Sequence, residues 1–274
     1  MKICRYAVIG NPISHSRSPQ IHSMFAKQTG QELEYSAILV DVGDFNMAAD
    51  KFFAGGGRGL NVTVPFKRDA FDYASRTTDR ATLAKAVNTL IVEPDGSITG
   101  DNTDGIGLVN DIINNLGWEI NSKKILVLGA GGAVQGILEP LLDLHPQHIV
   151  IANRSVDKAL RLAKQFSEYG YLLGCALDML DGQEFDVIIN GTSSSMLGNQ
   201  LPLPASIFLG KPNYCYDLMY GAELTPFMQQ ANNHGAITAD GLGMLVEQAA
   251  ESFSIWRGVK PDTKPIIDLI RESL

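Results

Sequence analysis

Over the first hundred positions, segments with the hydrophobic pattern of a strand alternate with segments that have the pattern of a helix. The runs ICRYAVI, EYSAILV and GLNVTV resemble strands, and helix-like segments separate them. One helix is predicted with Ser18 as its N-cap and Gly30 at its end, because Pro19 suits a first helical turn. Further along, NTLIVEPDGSITGDN predicts a β-hairpin around Asp95-Gly96. This part of the chain is therefore predicted to be an α/β unit.

A second series of elements starts after a predicted helix over 104–117, in which apolar residues recur every three or four positions. Helices over 132–144 and 155–167 follow, together with the strands KILVLG, HIVIAN, FDVIIN, YCYDL and AITAD. Near-continuous Val, Ile and Leu strands between helices indicate a parallel sheet covered on both faces. We predict two α/β domains over 1–104 and 105–240, with C-terminal helices in 241–274, including one over 242–257, that pack on the first domain.

Composition narrows the class of protein. The 274 residues carry a formal net charge of −8 and no run of Lys or Arg, which argues against a nucleic-acid or anionic membrane surface. The apolar stretches are too short to cross a membrane, and the start of the chain resembles a strand rather than a signal peptide. Three distant cysteines show no metal-ligand spacing. We expect a cytoplasmic protein with reduced thiols and no metal site.

The segment VLGAGGAV over 127–134 joins a strand to a helix, which is the context of a dinucleotide-binding turn. Gly129 permits a tight turn, and Gly131 lets backbone amides approach a pyrophosphate at the helix N-terminus. The third fingerprint position is Val134 instead of Gly or Ala. The larger side chain argues against close packing of the helix on the strand. The alternative is an α/β turn without a ligand.

The end of the next strand bears on which dinucleotide binds. An NAD site would place Asp or Glu there, whereas this strand ends in Asn153-Arg154-Ser155, with Lys158 one turn later. Arg154 can bond a 2′-phosphate that a carboxylate would repel, so NADP is predicted. The alternative is that Arg154 and Lys158 are solvated surface charges.

Polar residues also cluster in the first unit. The segment NVTVPFK alternates Val62 and Val64 with polar residues, then places a lysine just after the predicted strand end. Ligands of α/β proteins bind at strand ends, so Lys67 and Asp104, which starts a predicted helix, are candidate site residues. The alternative for Lys67 is a surface lysine. Other polar candidates are Ser14, Ser16, Asn61, Thr63, Asn88 and the inward-facing Gln248.

The motifs SHSxSP, NVTxPxK, AVNT, NTDG, GAGGA, NR[ST], NxTS and DGLGML occur in this order from about residue 6 to about residue 257. The chain therefore resembles the shikimate dehydrogenases. The resemblance implies an N-terminal shikimate-binding domain and a Rossmann-like NADP-binding domain. It also implies reversible NADPH-dependent reduction of 3-dehydroshikimate to shikimate, in the biosynthesis of chorismate and aromatic amino acids.

Matching positions carry the family's roles. The resemblance implies that Lys67 is the acid/base with Asp104, and that substrate is bound by Ser14, Ser16, Thr63, Asn88, Asp104, Tyr220 and Gln248. It implies cofactor contacts at Asp79, Gly129, Ala130, Gly131, Gly132, Ala133, Asn153, Arg154, Ser155, Lys158, Thr192, Leu218 and Gly241. Two positions depart from the pattern, since Gln135 replaces a frequent basic residue and Gly191 a frequent Ala.

Three other functions stay open on the residues alone. A quinate/shikimate dehydrogenase shares most of the motifs and uses cofactors more broadly. A non-catalytic regulator that senses NADP or shikimate would be expected to lack Lys67 or Asp104, and both are present. An unrelated NADP reductase would not need SHS and NVTxPxK together. We expect a small-molecule substrate as partner, neither nucleic acid nor membrane, and a monomer or homodimer.

Overall fold

The computed structural model describes residues 3–194, 198–209 and 213–274. The chain divides into two compact units, one formed by Met1–Gly107 with Val246–Leu269 and the other by Leu108–Leu245 with Ile270–Leu274. The stretch Leu108–Leu245 of the second unit is thus inserted into the first. Among the described residues, no helix is long and apolar enough to cross a membrane.

The first unit contains a six-stranded mixed sheet in the order β2-β1-β3-β5-β6-β4. Its strands are β1 (Cys4–Gly10), β2 (Leu33–Leu39), β3 (Gly57–Val62), β4 (Arg76–Thr77), β5 (Thr89–Val92) and β6 (Ile98–Asp101). Strand β1 runs parallel to both β2 and β3. Strand β5 runs antiparallel to β3 and β6, so the predicted hairpin around Asp95-Gly96 is confirmed.

Helices cover this sheet, and they are α1 (Ser18–Thr29), α2 (Phe45–Ala54), α3 (Lys67–Tyr73), α4 (Asp79–Ala84) and the start of α5 (Asp104–Asn110). On one face, Phe45, Phe52 and Phe66 pack with Ile9 and Leu60 in a buried cluster. Burial of these apolar side chains is the main force that holds helices α2 and α3 to the sheet.

An aromatic cluster covers the other face. Tyr6 of β1 stacks on Trp256 with ring centroids 4.7 Å apart, and Phe25 of α1 meets Phe253 edge to face at 5.6 Å. Both partners come from α9 (Leu242–Arg257), as predicted, and the last helix is α10 (Lys264–Glu272). The stretch Val246–Leu269 therefore completes the core of the first unit.

The second unit contains a six-stranded sheet in the order β12-β11-β10-β7-β8-β9. Its strands are β7 (Lys124–Leu128), β8 (His148–Ala152), β9 (Leu172–Cys175), β10 (Val187–Asn190), β11 (Tyr214–Asp217) and β12 (Ile237–Asp240). All neighbouring strands are parallel, which confirms the prediction. The accompanying helices are α6 (Gly132–Leu142), α7 (Val156–Gln165) and α8 (Pro226–Asn233).

Local structure differs most clearly from the predictions at four places. Ser18 is the first residue of α1, and Arg17 occupies the N-cap without a side-chain hydrogen bond. Strand β3 ends at Val62, and Val64 is 65% exposed because it lies in the following loop. Lys67 begins helix α3, so it does not simply follow a strand. The helix predicted over 104–117 is α5 followed by a π-helical turn over Asp111–Asn115.

Candidate active site

Two loops meet at one edge of the sheet in the first unit. Strands β1 and β3 are parallel neighbours with Ile9 opposite Val62, so the loops that follow them lie side by side. The Thr63 amide donates to the Ile9 carbonyl at 2.9 Å, and the Asn11 amide donates to the Val64 carbonyl at 3.0 Å. The first loop carries Ser14 and Ser16, and the second carries Thr63 and leads to Lys67.

The hairpin brings two more polar segments to the same edge. Because β5 is antiparallel to β3, Asn88 immediately before β5 lies beside the end of β3, and its carbonyl accepts from the Val62 amide at 2.8 Å. Strand β6 ends at Asp101, whose carbonyl accepts from the Asn88 amide at 3.0 Å. Asp104 follows as the first residue of α5.

Lys67 and Asp104 form an ion pair at this edge. Lys67 Nζ donates to Asp104 Oδ2 at 2.5 Å, and the two side chains are 24% and 10% exposed. Asn88 Nδ2 donates to the other carboxylate oxygen at 2.8 Å and approaches Gln248 Oε1 at 3.3 Å. The structure thus brings together four predicted residues around a charged N–H donor that solvent still reaches.

The loop that leads to Asp104 is anchored by a second buried ion pair. Arg80 binds both carboxylate oxygens of Asp101, at 2.7 and 2.6 Å. Burial raises the pKa of the Asp101 carboxyl, but Arg80, Thr78 and the Asn102 amide outweigh burial, so this pKa lies below its usual value. The carboxylate therefore stays charged and holds β6 to α4.

The other predicted substrate residues lie in loops, and none of them is buried. Ser14 is exposed, whereas Ser16 and Thr63 are half-buried. Ser16 Oγ accepts from the Ser18 amide at 3.3 Å, so this hydroxyl lies at the N-terminus of α1, where an anion is favoured. Tyr220 is half-buried in the second unit, beyond the end of β11.

The predicted cofactor residues of the second unit follow the carboxyl ends of parallel strands. The strands end in register, since Leu128 lies opposite Asn190 and Ala152, and Asp217 lies opposite Asn190 and Asp240. Successive strands proceed to one side from β7 to β9 and to the other side from β10 to β12. Open α/β sheets bind ligands at such a change of direction, beyond the strand ends.

The Gly-rich turn between β7 and α6 has room for a pyrophosphate. Gly129 has a φ of +106°, a conformation that favours glycine. A Cβ on Gly131 or Gly132 would meet no atom within 4 Å, and α6 begins at Gly132 without a side-chain cap. Open space in front of the first helix amides suits the phosphates of a dinucleotide. Ala130 and Ala133 belong to the same turn.

Cations lie at the next strand end, where a ribose would be recognised. Arg154, Ser155 and Lys158 are all exposed, and the side chain of Asn153 donates to the Ser155 carbonyl at 3.0 Å. No carboxylate occurs over 153–155. At the end of β10, the amide and hydroxyl of Thr192 bind Asn190 Oδ1 at 3.1 and 2.8 Å. Leu218 follows β11, and the buried Gly241 follows β12.

The chain is similar to known proteins over nearly its whole length. The chain matches the shikimate dehydrogenase substrate binding domain over residues 8–90, shikimate / quinate 5-dehydrogenase over 110–198, and the shikimate 5'-dehydrogenase C-terminal domain over 241–271. A protein of Cellvibrio japonicus named shikimate dehydrogenase (NADP(+)) is 56% identical, with 98% of this chain and 97% of that protein covered. This chain belongs to the shikimate dehydrogenase family.

Solved structures of other proteins are also similar to this chain. An Ael1 enzyme from Pseudomonas putida is 46% identical with a TM-score of 0.93, and 97% of each chain is covered. A shikimate 5-dehydrogenase from Thermus thermophilus, in complex with NADP(H) and shikimate, is 28% identical with a TM-score of 0.87, covering 99% of this chain and 100% of the other. The predicted α/β fold with a substrate domain and a Rossmann-like domain is confirmed.

Val134, which departs from the dinucleotide fingerprint, and Gly191, which departs from the family pattern, explain each other. Val134 is fully buried in α6, and a Cβ built on Gly191 would lie 2.5 Å from Val134 Cγ2. Gly191 therefore supplies the space that the valine occupies. The close packing that Val134 brought into question is preserved.

Sequence reasoning missed several residues around Asn88. Thr103 donates its backbone amide to Asn88 Oδ1 at 2.9 Å, and Thr89 and Ser252 lie behind the same side chain. Asn61, expected to be a substrate group, is buried and bonded to Asn88, Thr89 and Ser252. The only signal for Thr89 and Thr103 was their place within AVNT and NTDG, and Ser252 lies outside all of the motifs. Over residues 3–194, 198–209 and 213–274, no group of three His, Cys, Asp or Glu could hold a metal.

Proposed function

We propose that this protein catalyses the reversible NADPH-dependent reduction of 3-dehydroshikimate to shikimate, a step toward chorismate and the aromatic amino acids. The observation that carries the proposal is the Lys67–Asp104 ion pair, with Asn88 and Gln248 beside it. Family membership and the NADP(+) in the name of the Cellvibrio japonicus relative support it. The first unit would bind the substrate and the second the cofactor, in the predicted domains 1–104 and 105–240.

Lys67 acts as the acid and base. Bound NADPH would supply the hydride that the carbonyl carbon accepts. The Lys67 ammonium gives one proton to the carbonyl oxygen as it becomes an alkoxide, and takes it back when shikimate is oxidised. The Asp104 carboxylate, held by Asn88, orients this ammonium toward the substrate. Solvent then restores the proton, because the Lys67 side chain is 24% exposed.

The remaining substrate groups would bind the carboxylate and the ring hydroxyls. Ser14 and Ser16 lie in the loop before α1, where hydroxyls and the positive helix end favour an anion. Thr63, Asn88 and Gln248 offer hydroxyl and amide groups to the ring. Tyr220 would add its hydroxyl to the carboxylate, a role that rests on the family pattern.

Cofactor choice would be set by the exposed Arg154 and Lys158 after β8. Their charges suit a 2′-phosphate, and the strand end offers no carboxylate to a 2′-hydroxyl. The turn over 129–133 would bind the pyrophosphate, with Asn153 and Ser155 at the ribose and Thr192, Leu218 and Gly241 at the nicotinamide. Asp79, exposed at the start of α4, would face the cofactor.

One assay tests this function against the quinate/shikimate dehydrogenase. Oxidation of shikimate and of quinate is measured with NADP and with NAD, all four combinations on one preparation. We expect shikimate with NADP to give by far the highest kcat/KM. Comparable values with quinate would assign the broader activity, and no turnover of either alcohol would favour a regulator.

A further inference from the structure

A series of buried hydrogen bonds extends behind Asn88, on the side away from Lys67. Thr89 Oγ1 lies 2.9 Å from Asn88 Oδ1, and Ser252 Oγ lies 2.8 Å from Thr89 Oγ1. Asn61 Nδ2 lies 3.0 Å from Ser252 Oγ. Thr89 and Ser252 are fully buried, so neither side chain is open to solvent. All these residues belong to the first unit.

Backbone groups fix the orientation of both amides. The Thr103 backbone N–H, which can only donate, lies 2.9 Å from one terminal atom of Asn88, so that atom is the oxygen. Asn88 Nδ2 therefore points to Asp104. At the other end, one terminal atom of Asn61 lies 3.2 Å from the Asn88 carbonyl, which can only accept, so that atom is the nitrogen.

The direction of each hydroxyl follows from these two amides. Asn88 Oδ1 only accepts, so Thr89 donates its single hydroxyl proton to it. Ser252 must then donate to Thr89 at 2.8 Å, in preference to the Gln248 carbonyl at 3.1 Å, because no other proton can lie between the two hydroxyl oxygens. Asn61 donates to Ser252. Every bond from Asn61 to Asp104 thus points the same way, and bonds in such a series strengthen one another.

We propose that Thr89 and Ser252 are positioning residues for the dehydrogenase reaction. They hold the Asn88 amide so that Nδ2 faces Asp104, which then presents its other oxygen to Lys67. Without these hydroxyls Asn88 Oδ1 keeps the Thr103 N–H but loses the Thr89 donor, so the amide is held less firmly against Asp104. The inference rests on the roles proposed for Lys67 and Asp104.

The test compares two substitutions at Thr89. Thr89→Val keeps the shape and removes the hydroxyl, whereas Thr89→Ser keeps the hydroxyl. We expect Thr89→Val to lower kcat/KM for shikimate about ten- to hundred-fold, the effect of one lost buried hydrogen bond and its unpaired partner. Thr89→Ser should stay within about three-fold of wild type, and KM for NADP should not change in either. Ser252→Ala, one bond further away, should lose about three- to ten-fold.

The control is Thr29→Val, which removes a hydroxyl that bonds the Phe25 carbonyl at 2.7 Å in the same unit. It should keep full activity. Wild-type kcat/KM in Thr89→Val, or an equal loss in Thr89→Ser, would overturn the inference, because then the hydroxyl does not matter. An active Lys67→Ala enzyme would instead refute the proposed reaction, so the two failures are distinguishable.

A second measurement applies even if Thr89→Val does not fold. In protein labelled with ¹⁵N-asparagine, the side-chain NH₂ signal of Asn88 is assigned by its absence in Asn88→Ala. We expect Ser252→Ala to shift this signal and Thr29→Val to leave it in place. An unchanged signal in Ser252→Ala would overturn the inference.

Discussion

The ammonium of Lys67 is the group on which the proposed proton transfer depends. Lys67→Ala removes it while Asn88 still holds Asp104, and we expect kcat to fall about 10²–10⁴-fold, the usual contribution of a positioned acid or base. Shikimate binding should survive better than turnover, because the other polar groups remain. Asp104→Asn should impair both. The measurements are kcat, shikimate titration and circular dichroism on one preparation.

The exposed Lys51, in α2, provides the control, since Lys51→Ala removes an equal charge from the same unit. Its kcat should equal that of the wild type. A folded Lys67→Ala protein that retains more than about a tenth of wild-type kcat is incompatible with the proposed mechanism.

Arg154 carries the proposed preference for NADP. Arg154→Ala should raise KM for NADP about ten- to hundred-fold, because a charge-assisted hydrogen bond to the 2′-phosphate is lost. Activity with NAD should change little, since NAD lacks this phosphate. Arg161→Ala, which removes an exposed arginine on α7, is the control. Equal losses with both cofactors would indicate that Arg154 serves the fold.

Helix α6 and the end of β10 fit together through one pair of residues. Because a Cβ on Gly191 would lie 2.5 Å from Val134 Cγ2, Gly191→Ala should destabilise the protein by about 1–3 kcal/mol through overpacking. Val134→Ala alone should cost about 2 kcal/mol through the cavity it leaves. The double variant should be more stable than the sum of the two losses implies, as urea unfolding would measure. Additive losses would mean that the two sites do not interact.

The elements themselves were largely predictable, because the Val- and Ile-rich strands and the helical periodicity are local signals. The boundaries of these elements were harder to predict. Gly57 and Gly59 begin β3 because their backbone pairs with β1, and no side-chain pattern marks such pairing. The site was also not predictable from side-chain patterns alone, because Lys67, Asn88 and Asp104 were found from family motifs. Thr89 and Ser252 were missed, because a buried hydroxyl in an apolar run looks like any other in the sequence.

Resistance of the whole protein to acid should depend on one buried histidine. His22 stacks on Tyr35 with ring centroids 4.1 Å apart, and burial lowers its pKa from 6.5 to about 3, against a smaller opposing effect of Asn61. Between these two values the unfolded chain binds a proton that the folded chain does not. The free energy of unfolding should therefore be unaffected by His22 above pH 6.5 and fall below it, by about 1.4 kcal/mol per pH unit at most.

His22→Phe should flatten this slope, and His145→Asn, at an exposed histidine, should not. Unfolding is followed by the fluorescence of Trp256, 5.5 Å from His22, in a Trp118→Phe background that leaves one tryptophan. Equal slopes in wild type and His22→Phe would show that other groups govern the response to acid.

The division of the first unit into two distant stretches affects how the protein is made. Its earlier stretch leaves the ribosome first, yet Tyr6 and Phe25 gain their aromatic partners only when Phe253 and Trp256 emerge. All strands of the second sheet lie between Lys124 and Asp240, so that sheet can form sooner. The earlier stretch of the first unit is thus completed only after the second sheet has been made, and its exposed aromatic face is the surface on which a chaperone would act during synthesis.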